Sequence, residues 1–194
     1  MPCTRSSFRR ITGVLLFALL LCQPINGAAR TVEDVSFQES VSIDNRQVPL
    51  RGAALLRWLK IFKVCVAALY LPENVPANEV LADIPKRLEI SYLVDIPGPD
   101  FGKGAEAVLE RHHSASELAR LRSRIDQLNA AYRDVKPGDR YALTYVPDQG
   151  TELSYNGQPL ITIQGADFAA AYFGIWLGKD PIDKDMRSRL IKGG

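Results

Sequence analysis

The chain has few of the side chains that crosslink proteins or bind metals: 194 residues include three cysteines and two histidines. Cys3 and Cys22 lie in the first 29 residues, so a domain starting at residue 30 keeps only Cys65 and cannot form an internal disulfide. The two histidines, His112 and His113, are neighbours in a helical stretch, and adjacent helical residues diverge by about 100°, so they cannot chelate one ion together. Also missing are a phosphate-cradling glycine loop, a dinucleotide fingerprint and a nucleophile elbow. No cofactor is expected. Basic excess is lacking too. The chain carries 24 Lys+Arg and 22 Asp+Glu, and removing Arg5, Arg9 and Arg10 with residues 1–29 leaves 21 against 22, a net charge of −1. A near-neutral domain argues against a nucleic-acid binder, which usually shows a basic domain.

No apolar run is long enough to span a bilayer comfortably, which takes about 20 residues. The longest, ITGVLLFALLLC, follows three arginines and leads to NGAA. A basic start, a short apolar stretch and a small-residue exit predict a secretory signal peptide over residues 1–29, cleaved after Ala29 or Ala28. Leu21 is too bulky for the usual lipobox before Cys22. The mature chain, residues 30–194, is expected to be one exported domain, secreted or periplasmic. With no disulfide available, its stability must come from a core.

The periodicities predict α+β. Residues 35–50 alternate weakly around Asp44-Asn45, as in a hairpin. Phe62–Leu71 is rich in Val, Ala, Leu and Tyr and is stopped by Pro72, which predicts a strand buried on both faces. KRLEISYLVD places Leu88, Ile90, Tyr92 and Val94 on one face of a half-buried strand. The period then changes. Phe101, Ala105, Val108, Leu109 and His112 share a helical face after Pro99 and Asp100. Ser114-x-x-Glu117 is a capping-box match opening a second helix, with Leu118, Leu121, Ile125, Leu128 and Tyr132 at helical spacing and an end near Pro137-Gly138. Three strands at 141–146, 151–155 and 159–163 form a meander, its second turn marked by Asn156-Gly157. Asp167–Leu177 is apolar nearly all round and is expected to be a buried helix, with Asp167 as N-cap and Gly178 as C-cap. Asp183 opens a short last helix. The whole predicts an antiparallel sheet with helices on one side.

Few residues stand out chemically. Arg57 interrupts the apolar run RGAALLRWLKIFKVCVAALYLP, and an unpaired buried guanidinium is costly. It is either an edge arginine whose stem packs while its head meets solvent or an acid, or a fixed cation at the base of an apolar cavity, suited to a carboxylate or phenolate. If residues 57–71 stay extended, Arg57, Lys63 and Cys65 share a face, unless a bulge intervenes. Cys65 reads as an inert core thiol. His112 reads as either a core histidine bonded to backbone or a pocket residue, with His113 exposed. Phe168, Tyr172, Phe173 and Trp176 read as core.

The segments VPLRGAALLRWLKIFKVCVAALYLP, YALTYVPDQGTELSYNGQPL and GADFAAAYFGIWLGKDPID, in this order, resemble the bacterial branch of the chalcone isomerase-like family. The resemblance covers almost the whole mature chain. It implies an open-faced β-sandwich, a large antiparallel sheet covered by a layer of helices, with the ligand in a cleft between them. The family's anion-holding arginine aligns with Arg57. The plant enzyme's strand threonine falls on Cys65, the hydroxyl residue of its late helix at about Ile175, and its helical tyrosine and asparagine in the region of Phe101 and His112. A cation without a polar network does not support chalcone cyclisation. The resemblance therefore implies a non-catalytic binder of a fatty acid or similar small amphipathic anion. The alternatives are an intramolecular lyase acting on another substrate and an envelope protein with a vestigial pocket.

Overall fold

A computed structural model describes Met1 and residues 29–193. Residues 2–28 of the predicted signal peptide therefore lie outside the described residues. Strands β1 (Ala29–Val32) and β2 (Val35–Gln38) form a separate hairpin. The main sheet is a seven-stranded antiparallel meander in sequential order: β3 (Ser40–Ile43), β4 (Arg46–Trp58), β5 (Phe62–Tyr70), β6 (Lys86–Tyr92), β7 (Arg140–Val146), β8 (Gly150–Tyr155) and β9 (Gln158–Ile163). Four helices complete the fold of the described residues: α1 (Gly98–His112), α2 (Ala115–Ala131), α3 (Ala166–Leu177) and α4 (Lys184–Lys192).

The composition of β5 follows from its place in the middle of this sheet. Cys65, Ala67 and Leu69 point to the helices, while Val66, Ala68 and Tyr70 point into a second apolar cluster with Phe37, Ile43 and Val48. The β1–β2 hairpin covers that second face through Val35 and Phe37, so a strand with core on both sides reads as an unbroken apolar run. Strand β6 keeps alternation. Leu88, Ile90 and Tyr92 face the helices, and Glu89 on the other face is paired with Arg87 at 3.2 Å and Arg140 at 2.7 Å. Val94 does not continue this stripe, because the strand ends at Tyr92 and Val94 is exposed.

The capping box at Ser114 is formed: the Glu117 amide donates to Ser114 Oγ at 3.3 Å, and the Ser114 amide donates to Glu117 Oε2 at 2.8 Å. Two expected helix ends are corrected. Helix α2 stops at Ala131, well before Pro137-Gly138, since Val135 leaves to pair with Ile96. The N-cap of α3 is Gly165, while Asp167 is held by Arg124 through contacts of 2.7 and 2.6 Å. Gly178 does cap α3, but in extended rather than left-handed backbone, and its lack of a side chain matters because a Cβ there would lie 2.5 Å from the Gly174 carbonyl oxygen. Helix α4 is N-capped by Asp183, which accepts from the Met186 amide at 2.6 Å. It lies against β4. Gly52 permits that approach, since a Cβ there would meet the Arg189 carbonyl oxygen at 2.3 Å.

Candidate functional site: an apolar cavity ringed by tyrosines

Between the helix-facing side of the sheet and helices α1 and α3 lies a cavity of about 180 Å³. Strands β4 to β8 supply its floor through Leu56, Val64, Cys65, Leu88, Ile90, Leu143 and Leu153. Helix α1 contributes Phe101, Gly104 and Ala105, and α3 contributes Tyr172, Ile175 and Trp176. Each reaches it for a local reason. The strand residues occupy the alternate positions of β6 and β7 that face the helices, and Phe101 and Ala105 are one turn apart on α1. Asp100, Gly104 and Ile182, all exposed, mark where it opens to the surface.

Its polar content is almost entirely phenolic. Tyr92, Tyr132, Tyr141 and Tyr172 line it. The Tyr132 and Tyr172 hydroxyls are 3.0 Å apart, and Tyr141 donates to the Arg133 carbonyl at 3.0 Å while accepting from its amide at 2.7 Å. Tyr92 has aromatic contacts, with the Phe101 ring 5.3 Å away edge-on and that of Tyr141 at 6.1 Å, but its hydroxyl makes no hydrogen bond among the described residues. Phe101 is stacked on Tyr132 at 4.8 Å. Desolvation raises all four phenols above their ordinary range and pushes the Cys65 thiol up to about 12. At neutral pH these groups are therefore uncharged. Asp100 is the only acidic residue of the lining; it sits at the mouth, paired with Lys103 at 2.7 Å. The arrangement can hold an apolar chain against hydroxyl donors and ring edges. Among the described residues, no ionised side chain lies inside it.

The five residues singled out from the sequence separate into two groups. Cys65, Phe101 and Ile175 meet in the cavity wall. Arg57 and His112 do not line it. Arg57 belongs to the opposite face of β4, where its guanidinium donates to Glu33 Oε1 at 3.2 Å and is partly exposed. The cause is a bulge. Leu56 pairs with Cys65 but Arg57 pairs with Lys63, leaving Val64 as the extra residue, so odd-numbered parity fails between 63 and 65. Arg57 is thus the edge arginine paired with an acid. His112 is exposed, lies at the end of α1 and is 2.6 Å from the Asp180 carbonyl oxygen through Nε2. His113, expected to be exposed, is the more buried of the two. Both border a second cavity of about 200 Å³ between α1 and α3, with Ile175 in the partition between the two spaces. The tyrosines were missed as site residues. Tyr92 and Tyr132 were legible as members of apolar faces, and a phenol on such a face needs a hydrogen-bond partner or a wet neighbour.

A sequential antiparallel sheet with helices closing an apolar cavity on one face defines an α+β architecture. The chain belongs to the chalcone isomerase-like family, whose model matches residues 29–192. Among solved structures it is similar to a fatty-acid binding protein of Arabidopsis thaliana, at 15% sequence identity and a TM-score of 0.65, over 85% of this chain and 96% of that one. No curated protein matches its sequence significantly.

Proposed function

We propose that this protein is a non-catalytic binder of a fatty acid or a similar small amphipathic anion, held with its acyl chain in the tyrosine-ringed cavity. The observation that carries the reading is that this cavity is apolar, opens at one end and has no ionised group inside. At about 180 Å³, it exceeds the roughly 150 Å³ apolar cavity that takes up benzene, yet lies below the range of about 300–1,000 Å³ for drug-sized ligands. It therefore suits a short acyl chain, or part of a longer one with its carboxylate outside the apolar floor. The Tyr92 hydroxyl, without a hydrogen-bond partner among the described residues, is a donor left available for a ligand oxygen. The known ligand class of the structurally similar plant protein supports the same choice. Export is part of the proposal, resting on the N-terminal sequence pattern: three arginines, a short apolar run and the small residues NGAA. No helix among the described residues is long and apolar enough to cross a membrane.

Native mass spectrometry of protein purified from its producing cells tests the binding. The expected result is a mass increment that organic extraction removes and identifies as a fatty acid. Protein that carries none, and takes up none when offered acids of graded chain length, rejects the reading. N-terminal sequencing of the same preparation is expected to begin near Arg30, and a sequence beginning at Met1 rejects the export.

A further inference from the structure

The residues that connect β4 to β5 are unlike the chain's other tight turns. Left-handed pairs close four hairpins: Glu33-Asp34, Asp44-Asn45, Asn156-Gly157 and Leu59-Lys60. Asp44-Asn45 and Asn156-Gly157 use residues that tolerate positive φ, and Glu33-Asp34 is polar throughout. The fourth places Leu59 at φ 50°, an uncommon conformation for a bulky residue. It gains no burial in return. Trp58, Leu59, Ile61 and Phe62 are 64, 66, 70 and 57% exposed, forming an apolar tip around Lys60. Exposed patches of this kind mark interaction sites.

Charge and geometry say what covers it. The heptapeptide RWLKIFK has three cations and no acid, although residues 30–194 together carry a net charge of −1. Arg57 and Lys63 lie on the back of the hairpin, sharing Glu33, while Lys60 at the apex has no acidic partner among the described residues. On the front face, Trp58 and Phe62 are a cross-strand pair with ring centroids 6.2 Å apart. Two residues further in on the same face come Leu56 and Val64, which line the cavity. The apolar surface thus runs from the tip into the cavity wall. A flat protein partner would leave the apex or the front face wet. A lipid interface surrounds a protruding tip, accepts Trp at headgroup depth and lets Lys reach the anionic surface.

We propose that the β4–β5 hairpin tip inserts into the interfacial region of an anionic lipid bilayer, docking the cavity's sheet wall against the lipid from which its ligand is drawn. The docking stands on the tip alone; the uptake of ligand rests on the function proposed above.

Flotation with vesicles of phosphatidylcholine, alone or mixed with phosphatidylglycerol, tests the docking. Wild-type protein is expected to float with the mixed vesicles and far less with the neutral ones. Losing one basic residue's attraction in Lys60→Gln should weaken this roughly fivefold, and Trp58→Ser with Phe62→Ser more than tenfold. All three side chains are exposed, so circular dichroism and binding of a fluorescent fatty acid in vesicle-free solution should match wild type. Absence of flotation, or equal flotation of the double variant, overturns the proposal. So does a concentration-dependent dimer that the double variant abolishes without any vesicle binding, which would assign the tip to a second copy. Fatty-acid binding with no flotation removes the docking and leaves the cavity reading intact; flotation with no fatty-acid binding does the reverse.

Discussion

Gly104 offers a direct test of whether ligand uses the cavity beneath α1. It sits in the interior of a helix, lines the mouth, and a Cβ added there would meet no atom within 4 Å. Helical side chains lean towards the N-terminus, so a leucine at this position would lie over Asp100 and Phe101, across the opening. Replacing helical glycine by leucine returns about 0.8 kcal/mol of backbone propensity. In a protein of this size, where 1 kcal/mol moves Tm by roughly 2–4 °C, Gly104→Leu should melt about 2–3 °C higher than wild type without ligand. Ligand at a hundred times Kd should add about 2.7 kcal/mol to wild type, a further rise of roughly 5–11 °C. The variant should lose most of that second rise, because the leucine occupies the entrance. Differential scanning fluorimetry with and without fatty acid measures both shifts. A variant that is more stable and still shows the full ligand-induced shift would place the ligand elsewhere and refute the cavity assignment.

Other perturbations probe separate parts of the argument. Arg57→Ala should change fatty-acid affinity by less than about twofold, since the guanidinium faces Glu33; a loss beyond tenfold, the scale of a buried charged anchor, would show that it turns into the cavity when ligand is bound. Lys86 is fully buried beside the Tyr145 and Phe173 rings, and desolvation lowers its pKa from 10.5 to about 8. Its charged form is disfavoured in the fold, so it costs stability below pH 8 and the cost fades as pH rises towards 10.5. Lys86→Met should therefore raise Tm at pH 7 and lose that advantage by pH 10.5; the Ala82 carbonyl keeps a second donor in the Ile84 amide at 2.8 Å. A lower Tm at neutral pH would refute this. Ser114→Ala should cost about 1 kcal/mol by opening the capping box at α2, read as a lower denaturation midpoint, and an unchanged midpoint would show that the cap contributes nothing.

Local chemistry was legible in this sequence wherever one residue's neighbours along the chain settled its state. The capping box at Ser114 was such a case, as were the Asn156-Gly157 turn and the double-faced burial of β5. Each depends on a period or a turn requirement that acts over a few residues. The α+β class followed from the change of period between β6 and α1 and back again at β7. The residues of the site were readable only in part. Phe101 lies on the face its periodicity indicated, but Cys65 does not share a face with Arg57 and Lys63, because one bulge at Val64 reverses the parity of everything beyond it. A bulge is decided by how two strands pair, and neither strand alone records it. The helix ends moved for a similar reason: the partners that set them, Ile96 for the chain after α2 and Arg124 for Asp167, are distant in sequence. The convergence of four tyrosines from β6, β7, α3 and the end of α2 was likewise a matter of tertiary packing. Periodicity says which face of an element is buried; only the assembled sheet and helices decide which buried faces meet, and whether the space between them is filled or left open.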